Sequence, residues 1–219
     1  MANCKLCFEW IHLNGINSLL NNRMICQKCY NGFDLINKIE HINGIEVRYL
    51  YFYNDFLKKV IYQFKGCFDI ELKDVFLDRL KYILRLIYKG YLLVPVPSYF
   101  ESDNKRGFNH VEEIFSSLKL NYIKCIKKTK DIKQANLSKK QRENINKVLI
   151  IENGEILNGK KILIVDDIFT TGSTLNCCIE LVRKYNPKLL KCLVLCKKTS
   201  KKWELFGPKV LLISLVFIR

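Results

Sequence analysis

The sequence predicts an α/β protein with a mainly parallel sheet flanked by helices, preceded by a small cysteine-rich module. Short, continuous apolar runs alternate with helix-like patterns from residue 91 to residue 196, as in sheets that are covered on both faces. Two pairs of closely spaced cysteines lie outside this pattern, within residues 1–30. One apolar run ends on two acids and a loop of threonine, glycine and serine, which suggests a ligand site.

The individual elements follow from the spacing of the apolar residues. Continuous apolar runs predict strands over 91–97, 121–126, 147–151, 160–165, 188–196 and 210–218. Apolar residues three and four positions apart predict helices over 71–89, 108–119 and 173–185. Residues 47–66 carry closely spaced aromatic residues and then a short helical pattern. The order of these elements is that of a parallel sheet whose strands are joined by helices.

Length and composition are those of one folded domain with a small appendage. The 219 residues are 49% hydrophobic and 26% charged, which excludes a disordered or fibrous class. We divide the chain into a module over residues 1–45 and a domain over residues 46–219. The net charge of +16 has two explanations, which are a nucleic-acid or polyphosphate partner and the general abundance of lysine, isoleucine and asparagine. The charge alone does not choose between them.

The sequence also indicates the cellular compartment in which we expect the protein. The opening residues "MANCKLCFEW" lack the basic start and apolar core of a secretory signal. The longest apolar run, at 210–218, has about half the length that a membrane span needs. Ten cysteines without an export signal favour a reducing compartment. We therefore expect a soluble cytoplasmic protein without a membrane span.

The four N-terminal cysteines have the spacing of a structural zinc site. Cys4 and Cys7 form one CxxC pair, and Cys26 and Cys29 form a second pair eighteen residues further on. Two such pairs supply four thiolates to one tetrahedral ion and leave no open position for catalysis. Four unrelated core thiols, or a redox dithiol, are the alternatives. A metal would substitute for the core that some thirty residues cannot build alone.

The acidic pair and the loop after it have the chemistry of a ribose 5-phosphate site. Asp166 and Asp167 follow the apolar residues 162–165 and should lie at the carboxyl edge of the sheet. Two adjacent carboxylates suit the vicinal hydroxyls of a ribose, or a divalent cation. A tight turn, hydroxyl donors and a helix N-terminus can hold a phosphate, and the candidate residues are Thr170, Thr171, Gly172, Ser173 and Thr174. An ordinary strand–loop–helix would explain one hydroxyl but not the whole set.

The stretch "ILIVDDIFTTGST" resembles the signature of type I phosphoribosyltransferases. The resemblance implies that Asp166 and Asp167 act at the ribose of phosphoribosyl pyrophosphate, with Mg²⁺, and that residues 170–174 hold its 5-phosphate. It further implies that the loop within "VPVPSYFESDNKRGFNH" (94–110) binds pyrophosphate, with Ser98 and Arg106 as candidates. A Pro-x-Pro sequence by itself would merely end a strand.

The combination of the double CxxC, "PVP", "RGFN" and the signature loop resembles the ComF/GntX family over essentially the whole chain. That family is associated with bacterial DNA uptake and transformation. Where the family usually has glutamine after "RGFN", this chain has His110, which we interpret as a helix-surface residue. By the same resemblance, Gln134 and Arg142 belong to a lid over the substrate, and Lys65 occupies a position that is commonly basic.

The resemblance implies a protein that binds phosphoribosyl pyrophosphate with Mg²⁺, and we also expect it to bind single-stranded DNA. Residues 119–147 contain ten basic residues against two acids, which fits a basic lid, a nucleic-acid-binding face or a solvated loop. Other proteins of DNA uptake are expected as partners. Two alternatives remain open, which are a transferase of nucleobase salvage and a non-catalytic DNA-binding adaptor.

Overall fold

The computed structural model describes residues 3–11, 24–98, 100–128 and 149–198. The helices are α1 (Gln27–Gly32), α2 (Asp55–Gly66), α3 (Lys81–Ile87), α4 (Phe100–Arg106), α5 (His110–Ser116) and α6 (Ser173–Arg183). The strands are β1 (Leu35–Ile42), β2 (Ile45–Phe52), β3 (Tyr91–Pro95), β4 (Ile126–Lys128), β5 (Leu149–Ile151), β6 (Lys161–Phe169) and β7 (Leu189–Lys197). Single 3₁₀ segments lie at Ile70–Val75 and Gly154–Leu157.

The main sheet has five strands in the order β1-β2-β7-β6-β3. The strands β2, β7, β6 and β3 are parallel to one another, and β1 pairs antiparallel with β2 at one edge. The short strands β4 and β5 form a separate antiparallel pair. The prediction of a mainly parallel α/β sheet is therefore confirmed.

Each face of the sheet has its own hydrophobic core, because alternate residues of a strand point to opposite sides. Leu163 and Val165 of β6 belong to the core that contains α2, α5 and the cysteine-rich segment. Ile162 and Ile164 of the same strand belong to the core that contains α6, β4 and β5. The carboxyl ends of β3 and β6 lie side by side in the sheet, with Pro95 opposite Val165.

The helix expected over 71–89 is interrupted. The chain forms the 3₁₀ segment Ile70–Val75, turns through 76–80 and becomes helical again only in α3. The phenol of Tyr51 in β2 donates a hydrogen bond to the Phe76 carbonyl at 3.0 Å, at the point of the turn. In a continuous helix the Phe76 carbonyl would accept a hydrogen bond from a backbone amide of the next turn. Here it accepts from a side chain 25 residues earlier in the sequence.

Two further expectations about strands need correction. The run 121–126 forms only an isolated parallel bridge between Tyr122 and Leu93, and the ladder begins at Ile126. The strand β1 has no counterpart among the predicted strands, and it precedes residue 45, where we expected the first module to end. The strand expected over 210–218 lies outside the described residues. Within the described ranges, no helix combines the length and apolar character that crossing a bilayer requires.

Candidate functional site

The two acids lie near the carboxyl end of β6, where the strand still pairs with β7. Asp166 is opposite Val194, and the ladder continues to Phe169. Because side chains alternate along a strand, the two carboxylates leave the backbone on opposite faces of the sheet. Asp167 contacts side chains from α2 and α5, whereas Asp166 lies on the face of α6.

Asp167 is buried and paired with a lysine. The Nζ atom of Lys65, in the last turn of α2, lies 2.5 Å from Oδ2 of Asp167, and the two side chains are 26% and 9% exposed. The Nε2 atom of His110 lies 3.4 Å from the same oxygen. Burial alone would raise the pKa of Asp167, but Lys65 and His110 outweigh it and hold the pKa well below its usual range. Asp167 is thus a carboxylate at neutral pH.

His110 connects Asp167 to an arginine. It is only 7% exposed, which corrects our interpretation of a helix-surface residue, and its Nδ1 lies 3.0 Å from NH1 of Arg106. Burial lowers the pKa of His110, the charges of Lys65 and Arg106 lower it further, and Asp167 opposes them. Since a guanidinium only donates, Nδ1 accepts from Arg106 and Nε2 carries the proton toward Asp167.

Arg106 holds the loop that follows β3 in place. Its Nε donates to the Lys65 carbonyl at 3.1 Å, and NH1 contacts Oδ1 of Asp103 at 3.0 Å. The hydroxyl of Ser98 donates to Asp103 Oδ2, and the Asn109 amide donates to the same oxygen at 2.9 Å. The two candidate pyrophosphate residues, Ser98 and Arg106, therefore belong to one hydrogen-bonded cluster that also reaches Asp167. Their role in binding pyrophosphate stays a prediction.

Asp166 has a different environment. Its Oδ1 accepts a hydrogen bond from the Asp167 backbone amide at 2.9 Å. Burial and the neighbouring charge of Asp167 raise the pKa of Asp166. In turn, its charge adds to burial in raising the pKa of the Cys178 and Cys192 thiols. The sequence suggested two equivalent acids, but the structure gives them opposite electrostatic environments.

The hydroxyl-rich loop follows directly from β6 into α6. Gly172 precedes the helix with φ +77°, a left-handed conformation that favours glycine. A Cβ atom there would lie 2.6 Å from the ring of Phe169. The hydroxyls of Thr171 and Ser173 lie 2.9 Å apart, and Thr170 and Thr171 are exposed. The turn is thus compact, with hydroxyl groups open to a ligand at the start of an 11-residue helix.

The N-terminal cysteines converge as the zinc prediction requires. The sulfur atoms of Cys4, Cys7, Cys26 and Cys29 all lie within 4.8 Å of one another, and those of Cys7 and Cys26 are 3.5 Å apart. Zn–S bonds of about 2.3 Å in a tetrahedron place sulfurs about 3.8 Å apart, so the donor set fits Zn²⁺. Burial raises the pKa of the Cys4 thiol, but backbone amides outweigh it and lower this pKa to about 7, whereas burial and the neighbouring thiols raise the pKa of Cys29.

The structure brings together the acids, the hydroxyl loop and the loop after β3. The two lid candidates, Gln134 and Arg142, lie outside the described residues. No sequence pattern distinguishes Asp103 or Asn109 as a site residue, and none gives His110 a function. Asn109 also caps α5, since its Oδ1 accepts from the amides of Val111 and Glu112. This capping could have been recognised from the asparagine before the helical pattern, but the contact between His110 and Asp167 spans 57 positions.

A neutral group with one donor and one acceptor should be able to replace His110. Glutamine meets this requirement, so we expect His110→Gln to retain most of the stability. We expect His110→Leu to lower the free energy of unfolding by about 1–3 kcal/mol, because a buried donor of Arg106 loses its acceptor. Urea unfolding at pH 7 of the two variants measures the difference. Equal losses in both would show that the side chain acts through its shape alone.

The fold is that of a phosphoribosyltransferase-type protein. Residues 104–213, half of the chain, match the family model of the phosphoribosyl transferase domain. The chain therefore belongs to the phosphoribosyl transferase domain family. Among relatives it is similar to Competence protein ComFC of Streptococcus pneumoniae, with 29% identity over 68% of this chain and 66% of the relative. ComFC of Bacillus subtilis is 28% identical over 59% of this chain and 54% of the relative.

These two relatives confirm the resemblance to ComF-like proteins, although the match covers less than two thirds of the length of either one. Human hypoxanthine-guanine phosphoribosyltransferase is 33% identical over a shorter region, 41% of this chain and 45% of the enzyme. A solved hypoxanthine phosphoribosyltransferase of Staphylococcus aureus aligns with a TM-score of 0.41 and 17% identity, over 59% of this chain and 65% of that one.

Proposed function

We propose that the chain binds phosphoribosyl pyrophosphate, together with Mg²⁺, where β3 and β6 end. The observation that supports this best is the buried cluster that joins Ser98 and Arg106, after β3, to Asp167 in β6. The hydroxyl loop at the start of α6 begins three residues after Asp167. A sugar bound at Asp167 would therefore have a phosphate-binding turn close by and a second polar loop beside it.

In this proposal each part of the ligand has its own group of residues. Asp166 and Asp167 act on the ribose hydroxyls, and the loop 170–174 holds the 5-phosphate. Ser98 and Arg106 lie on the pyrophosphate side. Because the Arg106 side chain contacts Asp103 and His110, we infer that it acts mainly by orienting the loop. Gln134 and Arg142 are proposed as part of a lid.

The carboxylates fit a hard divalent cation, since Mg²⁺ prefers oxygen ligands. Bound Mg²⁺ would offset the negative charge of the pyrophosphate. The ionised Asp167 would stabilise positive charge that develops at the anomeric carbon when the bond to pyrophosphate breaks. Such chemistry needs fixed charges more than a strong base, in keeping with a neutral His110 and a low pKa of Asp167.

We further propose that the protein acts in DNA uptake, binds single-stranded DNA and is cytoplasmic. The names of the two ComFC relatives and the net charge of +16 support this part. Zn²⁺ at the four cysteines would be structural, in a module over residues 1–45 next to a transferase-like domain over 46–219. Other DNA-uptake proteins are proposed partners.

Calorimetric titration with phosphoribosyl pyrophosphate and Mg²⁺ tests the sugar site. We expect the native chain to bind, and Asp166→Ala/Asp167→Ala to lose binding by at least about 100-fold, since the charge-assisted contact of the ionised Asp167 and the hydrogen bonds of Asp166 are removed together. Asp166→Asn/Asp167→Asn keeps the shape and should also lose binding. The control Glu155→Ala/Glu180→Ala removes two exposed acids elsewhere and should bind normally. Unchanged affinity in both aspartate variants would place the ligand elsewhere.

A second candidate function is transfer of the phosphoribosyl group to a purine base. The similarity to human hypoxanthine-guanine phosphoribosyltransferase supports it. Pyrophosphate release with hypoxanthine or guanine as acceptor would favour this function. Binding of phosphoribosyl pyrophosphate without release, for all bases and nucleotides tried, would favour a non-catalytic adaptor.

A further inference from the structure

An open pocket lies between α2 and the carboxyl end of β6. It encloses about 1050 Å³, at the upper end of the roughly 300–1,000 Å³ that is usual for small-molecule sites. Its lining extends along α2 from Asp55 to Gly66, a length of about 16 Å at 1.5 Å per residue. The sequence analysis assigned no ligand to this segment.

The inner end of the pocket meets the proposed sugar site. Lys65 and Ile168 line the pocket, and Lys65 also contacts Asp167. Tyr53 lies at the same end, since its backbone amide donates to the Lys197 carbonyl at 3.0 Å and Lys197 pairs with Phe169 at the end of β6. A molecule in this pocket would thus lie next to a sugar held at Asp167.

The outer part of the pocket carries two lysines against one acid, Asp55, together with an exposed aromatic ring. Lys58 and Lys59 are exposed, and neither forms an ion pair among the residues that the structure describes. Tyr62, one helical turn further, is 66% exposed. Its ring lies against Gly66, where an added Cβ would be 2.9 Å from the ring. Because residue 66 is a glycine and has no side chain, the Tyr62 ring can lie along the helix with its other face open.

Lysines beside an open aromatic face are the groups that bind single strands of nucleic acid. The cations contact phosphates and the ring stacks on a base, with little dependence on sequence. We infer that this pocket binds a single-stranded nucleic acid, with Lys58 and Lys59 on the backbone and Tyr62 against a base. The length of the lining exceeds that of one nucleotide, which favours a strand over a free mononucleotide. The inference rests on the proposed function, since it places the strand next to the bound sugar.

Binding of a fluorescent twelve-residue oligothymidylate to the zinc-loaded full chain, in a salt series, tests the assignment. We expect Lys58→Ala/Lys59→Ala to weaken binding on the order of ten-fold at low salt and to make the salt slope shallower by about 1.4, for two lost phosphate contacts. Tyr62→Ala should weaken binding at least about five-fold with the slope unchanged. The control Lys184→Ala/Lys188→Ala removes two exposed lysines at the other end of the sheet and should bind as the native chain does.

Cys67 gives a second measurement on the native chain. It lines the pocket, and it is the exposed one among the ten cysteines. We expect the oligothymidylate to slow modification of Cys67 by a thiol reagent, and thymidine monophosphate at equal concentration to slow it much less. If both compounds protect Cys67 equally, the pocket binds a mononucleotide and not a strand. An unchanged rate with the oligomer, or full affinity of both pocket variants, would overturn the inference.

The same variants separate this inference from the proposed function. If Lys58→Ala/Lys59→Ala binds phosphoribosyl pyrophosphate normally and loses the oligomer, both proposals stand. If the native chain binds the sugar but the pocket variants bind the oligomer with native affinity, only the pocket assignment fails. If the native chain binds the oligomer in this pocket and never the sugar, the proposed binding of phosphoribosyl pyrophosphate fails and the strand site remains.

Discussion

Serine in place of Cys26 is expected to remove the zinc and to destabilise the whole chain. A structural Zn²⁺ contributes roughly 10–16 kcal/mol of apparent binding free energy in small modules, and a hydroxyl replaces a thiolate ligand poorly. The measurement is zinc content per chain, together with thermal unfolding. We expect about one zinc per native chain, little in Cys26→Ser, and a markedly lower unfolding midpoint.

The loss of stability should extend beyond the four cysteines, because the N-terminal module shares a hydrophobic core with the sheet. Cys4, Cys26 and Cys29 belong to the same hydrophobic cluster as α2 and β6. The ring of Phe33 packs against Tyr51 and Phe56 at centroid distances of 5.3 and 5.4 Å. The guanidinium of Arg79 lies 3.7 Å above the ring of Tyr30. Loss of the metal would loosen these contacts, which fix the end of β2 and the start of α2.

Cys67→Ser is the matched control for this experiment. Cys67 is exposed and lies outside the four-cysteine cluster, so the variant should keep its zinc and its unfolding midpoint. Full zinc content in Cys26→Ser at native affinity would contradict the assignment of the four cysteines as one site. Loss of zinc without any change in the unfolding midpoint would instead show that the module does not support the sheet.

The sequence predicts the parts of the fold whose signals are local. The strand β6 and the helix α6 are adjacent in the chain, and their apolar spacing and the acidic pair are sufficient to predict both. The CxxC pairs are equally local, because four ligands at fixed spacing predict the cluster that the structure contains. The strand β1 could not be predicted in this way, since it has no continuous apolar run and a register irregularity between Leu35 and Lys38 interrupts the alternation of its side chains.

The organisation of the site depends on contacts that are distant in the sequence. Asp167 takes Lys65 from 102 residues away and His110 from 57 residues away. Which of two adjacent acids carries the charge is decided by these partners, and the residue types "DD" do not contain that information. Similarly, the turn after Val75 depends on the hydrogen bond from Tyr51. Sequence motifs thus indicate candidate ligand-binding residues, while packing decides their ionisation.

Lys65→Met should destabilise the chain strongly, because it leaves the buried Asp167 without its closest cation. Removing one partner of a buried ion pair costs about 3–5 kcal/mol, and the partial exposure of Lys65 suggests about 3 kcal/mol, at the lower end. The surface pair Lys73–Glu113 is the control, at 2.8 Å with side chains 36% and 27% exposed. Lys73→Met should cost less than about 1 kcal/mol. Urea unfolding at pH 7 gives both values.

A second substitution tests whether charge is the cause. In Lys65→Met/Asp167→Asn the buried site is neutral again, so we expect the double variant to be more stable than Lys65→Met alone. A double variant no more stable than the single one would mean that the lysine acts through the packing of its aliphatic chain.

The pH dependence gives an independent measurement of the same pair. The pKa of Asp167 is lowered on folding from its ordinary value of 3.8, so its contribution to stability is fully present above that pH. The contribution is lost as the pH falls below 3.8 toward the folded-state pKa, because the unfolded chain then binds the proton first. The unfolded state is common to the native chain and Lys65→Met, so the difference in their unfolding free energies depends on the folded-state pKa of Asp167 in each. We expect this difference to be constant where Asp167 is ionised in both proteins, and to shrink as the pH falls through the folded-state pKa of Asp167 in Lys65→Met, which is higher because burial is no longer offset by Lys65. A difference that stays constant on acidification would show that Lys65 does not stabilise the ionised form of Asp167.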